Sequence, residues 1–244
     1  MNNYMNTIGI DIGGSKMRVI VWNGHKVLAA RQVKTPKNLN DFKKEIIKLA
    51  TWRLSRQVGV GAAGIISGTK IVKSPNIKYL RNFDFIKLLG NSVTKLKLGN
   101  DAQCFARAVC HKKGIYLAIT LGTGIGRGLA KDGKVQKIKK FEYPESWEKE
   151  YQKMRGKPKA VMSKRFSDFL AEHLAPIATK YKVSSVVFGG GVTGRNGFAS
   201  KMRKSFLQRG WNGRLSISKL GKNAVAIGAA MQNAKIKSGP KIAL

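Results

Sequence analysis

The segment TIGIDIGGSKMRVIVW, residues 7–22, decides how the chain is read. Residues 7–12 form a short apolar run that stops at Gly13-Gly14, and residues 17–22 resume it. A glycine turn between two β-rich runs predicts a hairpin, and residues 26–34 supply a candidate third strand. The same grammar returns further along. IYLAITL (115–121) breaks into GTGIGRG (122–128), and LAKDGKV (129–135) follows as a second strand.

Beyond this segment, LNDFKKEIIKLATWRL at 39–54 places Phe42, Ile46, Leu49 and Leu54 at helical spacing, with Asn40 or Asp41 to cap its start. Residues 57–62 predict a buried strand, 64–79 a turn-rich stretch, 93–99 a strand ending at Asn100-Asp101, and 102–111 a helix. In the second half, helical patterns cover about 146–156 and 163–181. SSVVF at 184–188 predicts a strand ending at Gly189-Gly190-Gly191, and a helix runs from about 197 to 208. The small-residue segment 222–233 is helical, and the last ten residues are expected to fray. Alternating elements argue for α/β layers, and the hairpins for mixed sheets. A boundary near 105–113 divides the chain into domains 1–108 and 109–244, with the 222–233 helix available to pack back on the first. The two are expected to close around a cleft.

The 244 residues suffice for two small cores, and a 43% apolar content argues against disorder. No apolar run reaches the roughly 18 residues of a membrane span. The opening MNNYMNTIGI lacks the pattern of a secretory signal. Cys104 and Cys110 lack a paired C-x-x-C, so neither a disulfide framework nor a thiolate zinc site is expected, and a cytoplasmic location fits. Forty-seven Lys and Arg face twelve Asp and Glu, a net charge of +35. Such a surface attracts polyanions, among them polyphosphate and, non-specifically, nucleic acid. The basic residues are scattered, which equally fits a diffuse charge with no dedicated partner.

Carboxylates are scarce, so their places carry information. Asp11 precedes Gly13, Gly14, Ser15 and Lys16, a turn whose amides can approach a phosphate while Asp11 holds Mg²⁺, directly or through water. Gly122, Thr123, Gly124 and Gly126 suit a second anion-wrapping loop, with Arg127 beside it or turned to solvent. The spacing matches neither G-x-x-x-x-G-K-[ST] nor a dinucleotide fingerprint. Gly189, Gly190 and Gly191 permit close approach of an adenine or ribose, or simply a crowded strand-to-helix turn. Asp101, at a strand end, can accept a proton from an attacking hydroxyl or cap the next helix. Glu142, Glu145, Glu148 and Glu150 either face sugar hydroxyls or form a solvated acidic helix start.

In order, the chain carries IGIDIGGSK, GVGAAGIISG, SPNI, GNDAQCFARA, LGTGIGRGLAKDGK, VVFGGGV and NAVAIGAA. That series resembles the ROK family of sugar kinases and repressors, within the actin-like ATPase superfamily, over residues 7 to about 231. The resemblance implies two ribonuclease-H-like domains with mixed sheets flanked by helices, and an active site in the cleft between them. It makes residues 11–16 and 122–126 the phosphate loops, and 189–191 the adenosine segment. Asp101 becomes the catalytic base, and Gly64, Asn76, Asn100, Glu142 and Glu148 join it around the sugar. ATP and Mg²⁺ are the implied cofactors, a hexose the substrate, and a homodimer the expected assembly. The family's cysteine-rich zinc motif is absent, and its histidine after Glu142 would fall near Glu145. No zinc is therefore expected. A chain opening at the phosphate loop is expected to be a kinase, not a repressor. Polyphosphate glucokinases are similar and also lack the zinc motif, so polyphosphate is an alternative donor. A weakly catalytic relative that binds nucleic acid is the third reading.

Overall fold

The computed structural model describes residues 6–161 and 163–233; the expected frayed tail lies outside them. The chain divides into two compact units, one comprising the residues up to Ala108 and from Asn223 onward, the other Val109–Lys222.

The first unit begins with β1 (Thr7–Ile12), β2 (Lys16–Trp22) and β3 (Val27–Lys34), followed by α1 (Leu39–Ala50) and β4 (Gln57–Ala62). A small sheet follows from β5 (Ile65–Ser67), β6 (Lys70–Lys73) and β7 (Phe83–Asp84). The short α2 (Phe85–Leu89), β8 (Lys95–Asn100) and α3 (Asp101–Val109) come next. The main sheet has the order β3-β2-β1-β4-β8, antiparallel through the hairpins and parallel from β1 to β8.

The second unit repeats this plan with β9 (Ile115–Leu121), β10 (Ile125–Lys131) and β11 (Lys134–Gln136). It continues with α4 (Glu148–Arg155), α5 (Pro158–Val161), α6 (Lys164–Lys180), β12 (Ser185–Gly189), α7 (Phe198–Leu207) and β13 (Arg214–Ile217). Its sheet order, β11-β10-β9-β12-β13, has the same pattern of antiparallel and parallel pairs. The last helix, α8 (Ala224–Met231), returns to the first unit.

The alternation in TIGIDI gives β1 two buried faces. Ile8, Ile10 and Ile12 join the core with Phe42 and Ile46 of α1, alongside the edge-to-face rings of Phe83 and Phe85. Gly9 and Asp11, at the intervening positions, share the other face. There α8 lies on the sheet: a Cβ at Gly9 would run into the Ala226 carbonyl, and one at Gly59 into that of Ala229. Glycine in the strands and alanine in the helix let the two backbones touch.

Several elements differ from expectation. The helix predicted over 39–54 stops at Ala50, and residues 52–54 form a separate turn in which Arg53 has φ 60°. A left-handed residue ends an α-helix. Its cap is Asn38, not Asn40 or Asp41; the Asn38 side chain accepts from the Asp41 N–H at 2.9 Å. Asn38→Ala is expected to cost about 1 kcal/mol, read as a lower urea midpoint with unchanged slope.

The turn-rich stretch 64–79 contains the hairpin β5–β6 and a turn of 3-10 helix at Lys78–Leu80. The helix after Asp101 includes that residue and ends at Val109. GTGIGRG is a loop only over 122–124. Gly126, Arg127 and Gly128 stand in β10 opposite Thr120, Ile119 and Ala118, because those cross-strand partners support glycines that propensity alone disfavours. The short elements β7, α2, α5 and β13 escaped the pattern; each is five residues or fewer.

Candidate active site

The parallel strands β1, β4 and β8 end side by side. Their register aligns Asp11 with Gly61 and Gly99, and Ile12 with Ala62 and Asn100. The chain leaves β1 into the turn of Gly13 and Gly14, closed by a 3.0 Å bond from the Gly13 N–H to the Lys16 carbonyl. Gly14 packs on Asn76, and a Cβ there would come within 2.9 Å of the Asn76 Cβ. Ser15 and Lys16 are exposed at the tip.

Asn100 is buried and holds two pieces of this edge together. Its amide donates to the Gly64 carbonyl at 3.0 Å, and its Oδ1 accepts from the Ala102 N–H at 2.9 Å. Gly64, at φ 127°, has its Cα against the carbonyl of Lys73, a place no side chain fits. The capping duty expected of Asp101 therefore falls mainly to Asn100. Asp101 accepts from the Ala102 N–H at 2.8 Å, and no described side chain donates to it.

Asp11 and Asp101 are close enough for their charges to interact. Burial, then the charge of Asp101, push Asp11 up to about 7, and Arg18 opposes the shift. Burial also raises Asp101, against the pull of the Ala102 N–H. Arg18, not singled out in the sequence, stands opposite Asp11 in the β1–β2 register. It donates to Asn223 Oδ1 and to Gln32 Oε1, each at 3.0 Å, tying the start of α8 to the strand beside Asp11. The signal was available: a lone arginine in MRVIVW, in hairpin register with the aspartate. The Asp11 carboxylate is an oxygen donor of the kind a hard divalent cation takes while keeping most of its waters.

In the second unit, residues 122–124 form a tight turn with the Gly122 N–H bonded to the Gly124 carbonyl at 3.0 Å. Gly190, at φ 99°, packs on Leu121, the residue before that turn; a Cβ would meet the Leu121 N at 2.9 Å. The Gly189–Gly191 segment and the Gly122–Gly124 turn are thus neighbours. Gly126 stands in β10, outside the turn.

Glu142 ends a 3-10 turn at Lys139–Glu142 and is partly buried. Glu148, the first residue of α4, is buried and bonded to Arg127 at 3.1 Å. It is not a solvated helix start. Arg127 itself is 1% exposed, so it neither adds a free charge to the loop nor points into solvent. Two acidic partners and the Tyr143 carbonyl draw it inward.

A family model for the ROK family matches residues 7–138, more than half of the chain. The chain belongs to the ROK family. An N-acetyl-D-glucosamine kinase of Erwinia tasmaniensis is 34% identical to this ROK protein over 147 residues, 52% of this chain and 46% of that one. An N-acetylmannosamine kinase of Salmonella paratyphi B is 32% identical over 143 residues, 54% and 49% of the two chains. These matches span about half the length of the curated relatives.

Among solved structures, a ROK family glucokinase from Streptomyces griseus in complex with glucose and AMPPNP aligns with a TM-score of 0.76 at 22% identity, over 93% of this chain and 98% of that one. A ROK hexokinase from Thermus thermophilus aligns at 0.72 and 22% identity, over 93% and 97%. A ROK family transcriptional regulator aligns at 0.68 and 16% identity, over 95% and 78%. The ROK protein has their fold, with mixed sheets flanked by helices. Since kinases and a regulator share that fold, the function has to be argued from the site.

Among the described residues no helix is long and apolar enough to cross a membrane.

Proposed function

We propose that the chain is an ATP-dependent sugar kinase acting on a hexose or an N-acetylhexosamine, with Asp101 as its general base. The observation that carries this reading is the state of Asp101. It is a carboxylate of raised pKa at the carboxyl end of a parallel strand, held by backbone amides among the described residues, beside a glycine turn and a second carboxylate. Ligands in open α/β sheets sit outside those strand ends. The Oδ oxygen of Asp101 takes the proton of the sugar hydroxyl as that oxygen attacks phosphorus. Asn100 fixes the backbone from which Asp101 projects, and Gly64 and Asn76 line the same edge.

The amides of the Gly13–Ser15 turn, with the Ser15 hydroxyl and Lys16, orient the donor's phosphates in the first unit. The Gly122–Gly124 turn and Gly189–Gly191 hold phosphate and adenosine in the second. Asp11 would hold Mg²⁺, which when bound offsets the negative charge of the transferred group. The kinase names of the relatives, matched over about half their length, support the reaction class.

The carboxylate shifts fix the pH dependence. A base of raised pKa is protonated, and so inactive, at pH values where an ordinary aspartate still works. Turnover is expected to rise with pH along an acid limb above the ordinary Asp value of about 3.9. A kcat/KM profile flat down to about pH 4.5 would count against Asp101 as base.

The net charge of +35 favours a second reading in which polyphosphate is the donor. Sugar phosphorylation by polyphosphate, with and without added salt, tests it. Turnover with ATP alone excludes it.

A further inference from the structure

Arg127 lies three residues beyond the Gly122–Gly124 turn, on β10, yet its guanidinium serves a different stretch of chain. Its NH1 donates to Glu145 Oε1 at 3.1 Å, and its NH2 to the Tyr143 carbonyl at 2.6 Å and to Glu148 Oε1 at 3.1 Å. The rings of Phe141 and Trp147 lie 5.9 and 6.0 Å from it. Glu148 passes the connection on. Its Oε1 also accepts from the Glu145 N–H at 3.0 Å, and its Oε2 accepts from the Ile125 N–H at 3.3 Å. One turn further along α4, the Tyr151 hydroxyl donates to the Gly122 carbonyl at 2.9 Å. Both ends of the glycine turn are thus gripped by one face of α4, and the start of that helix is fastened to the strand leaving the turn.

Stability alone is a poor account of this node. A buried ion pair often contributes no more than a well-packed apolar pair of the same volume. Here Arg127 Nε is also buried without a hydrogen-bond partner among the described residues, a further cost. What a planar guanidinium supplies is direction, since it holds several acceptors in one fixed arrangement that an ammonium cannot copy.

We propose that Arg127 is a positioning residue that locks the Gly122–Gly124 turn and residues 142–148 into one rigid element, setting donor phosphate and sugar contacts together. The proposal rests on the sugar-kinase reading, in which the turn meets the donor and Glu142 the sugar. Arg127→Lys and Tyr151→Phe test it. Both keep the charge or the ring, and Tyr151→Phe removes one hydroxyl.

Amide hydrogen exchange is followed in both segments, with melting temperature and steady-state kinetics alongside. In each variant exchange is expected to quicken in both segments, including 142–148 in Tyr151→Phe, although the lost bond lies at Gly122. In Arg127→Lys the KM for sugar and the KM for donor are expected to rise together by roughly tenfold or more, with kcat falling less. Exchange that quickens only beside the substituted residue, or unchanged KM values in a folded Arg127→Lys chain, overturns the proposal. A wild-type chain that phosphorylates no sugar defeats the kinase reading instead, and the exchange pattern still decides whether the two segments are coupled.

Discussion

Asp101→Asn is expected to lose turnover by about 10²–10⁴-fold, the contribution of a positioned general base, while keeping its fold and its affinity for MgATP. The substitution is nearly isosteric. The amide oxygen still accepts from the Ala102 N–H, the bond that Asp101 makes at 2.8 Å. Asn100, the main cap, is untouched. What disappears is the basic oxygen. A negative charge beside Asp11 disappears too, so Asp11 is expected to titrate closer to an ordinary aspartate.

The sign of the stability effect separates this loss from misfolding. Both carboxylates are raised in the folded state, so the folded chain binds protons more readily than the unfolded one, and ionised Asp101 costs stability above its folded pKa. Above neutral pH the Asn variant should therefore melt no lower than the wild type. A variant that retains turnover removes Asp101 from the chemistry. One that melts many degrees lower makes Asp101 a structural residue.

The second large effect concerns stability. Gly228→Ala places a methyl group against the carbonyl of Cys104, where α8 lies on α3. Overpacking of a core costs about 1–3 kcal/mol when side chains can shift. Here the obstacle is backbone on both sides, and α8 is also seated on Gly9 and Gly59. The loss is expected to exceed that range, a large share of the ~5–15 kcal/mol that holds a domain together. Urea unfolding measures it directly. A variant within about 0.5 kcal/mol of wild type, the range of surface substitutions, would contradict the packing of α8. Turnover should fall with stability, because α3 carries Asp101 and the start of α8 is held by Arg18 beside Asp11.

Much of this architecture is legible in TIGIDIGGSKMRVIVW and its echo at 115–131, because a period of two with a glycine break specifies a hairpin wherever it occurs. The place of Asp11 follows from the same alternation. The 222–233 helix and the 57–62 strand were legible as elements, but not the contact by which Gly59 seats Ala229.

What remained hidden depended on contacts between distant residues. GTGIGRG looked like a loop because glycine disfavours strands; pairing with β9 overrides that preference at Gly126 and Gly128. Arg127 could be read as a loop charge until α4 supplied Glu148 twenty-one residues later. Asn100 took over the cap expected of Asp101 because both side chains reach the same amide. The helix predicted to Leu54 ended at Ala50, a boundary that the apolar spacing alone did not mark.

Sugar phosphorylation itself is the most direct test. The wild-type chain is incubated with MgATP and, in turn, glucose, mannose, N-acetylglucosamine and N-acetylmannosamine, and the phosphorus NMR spectrum is recorded. A sugar phosphate and an equal amount of ADP are expected with at least one of the four. ATP that stays intact with all of them, or is hydrolysed with no sugar phosphate formed, would contradict the sugar-kinase reading.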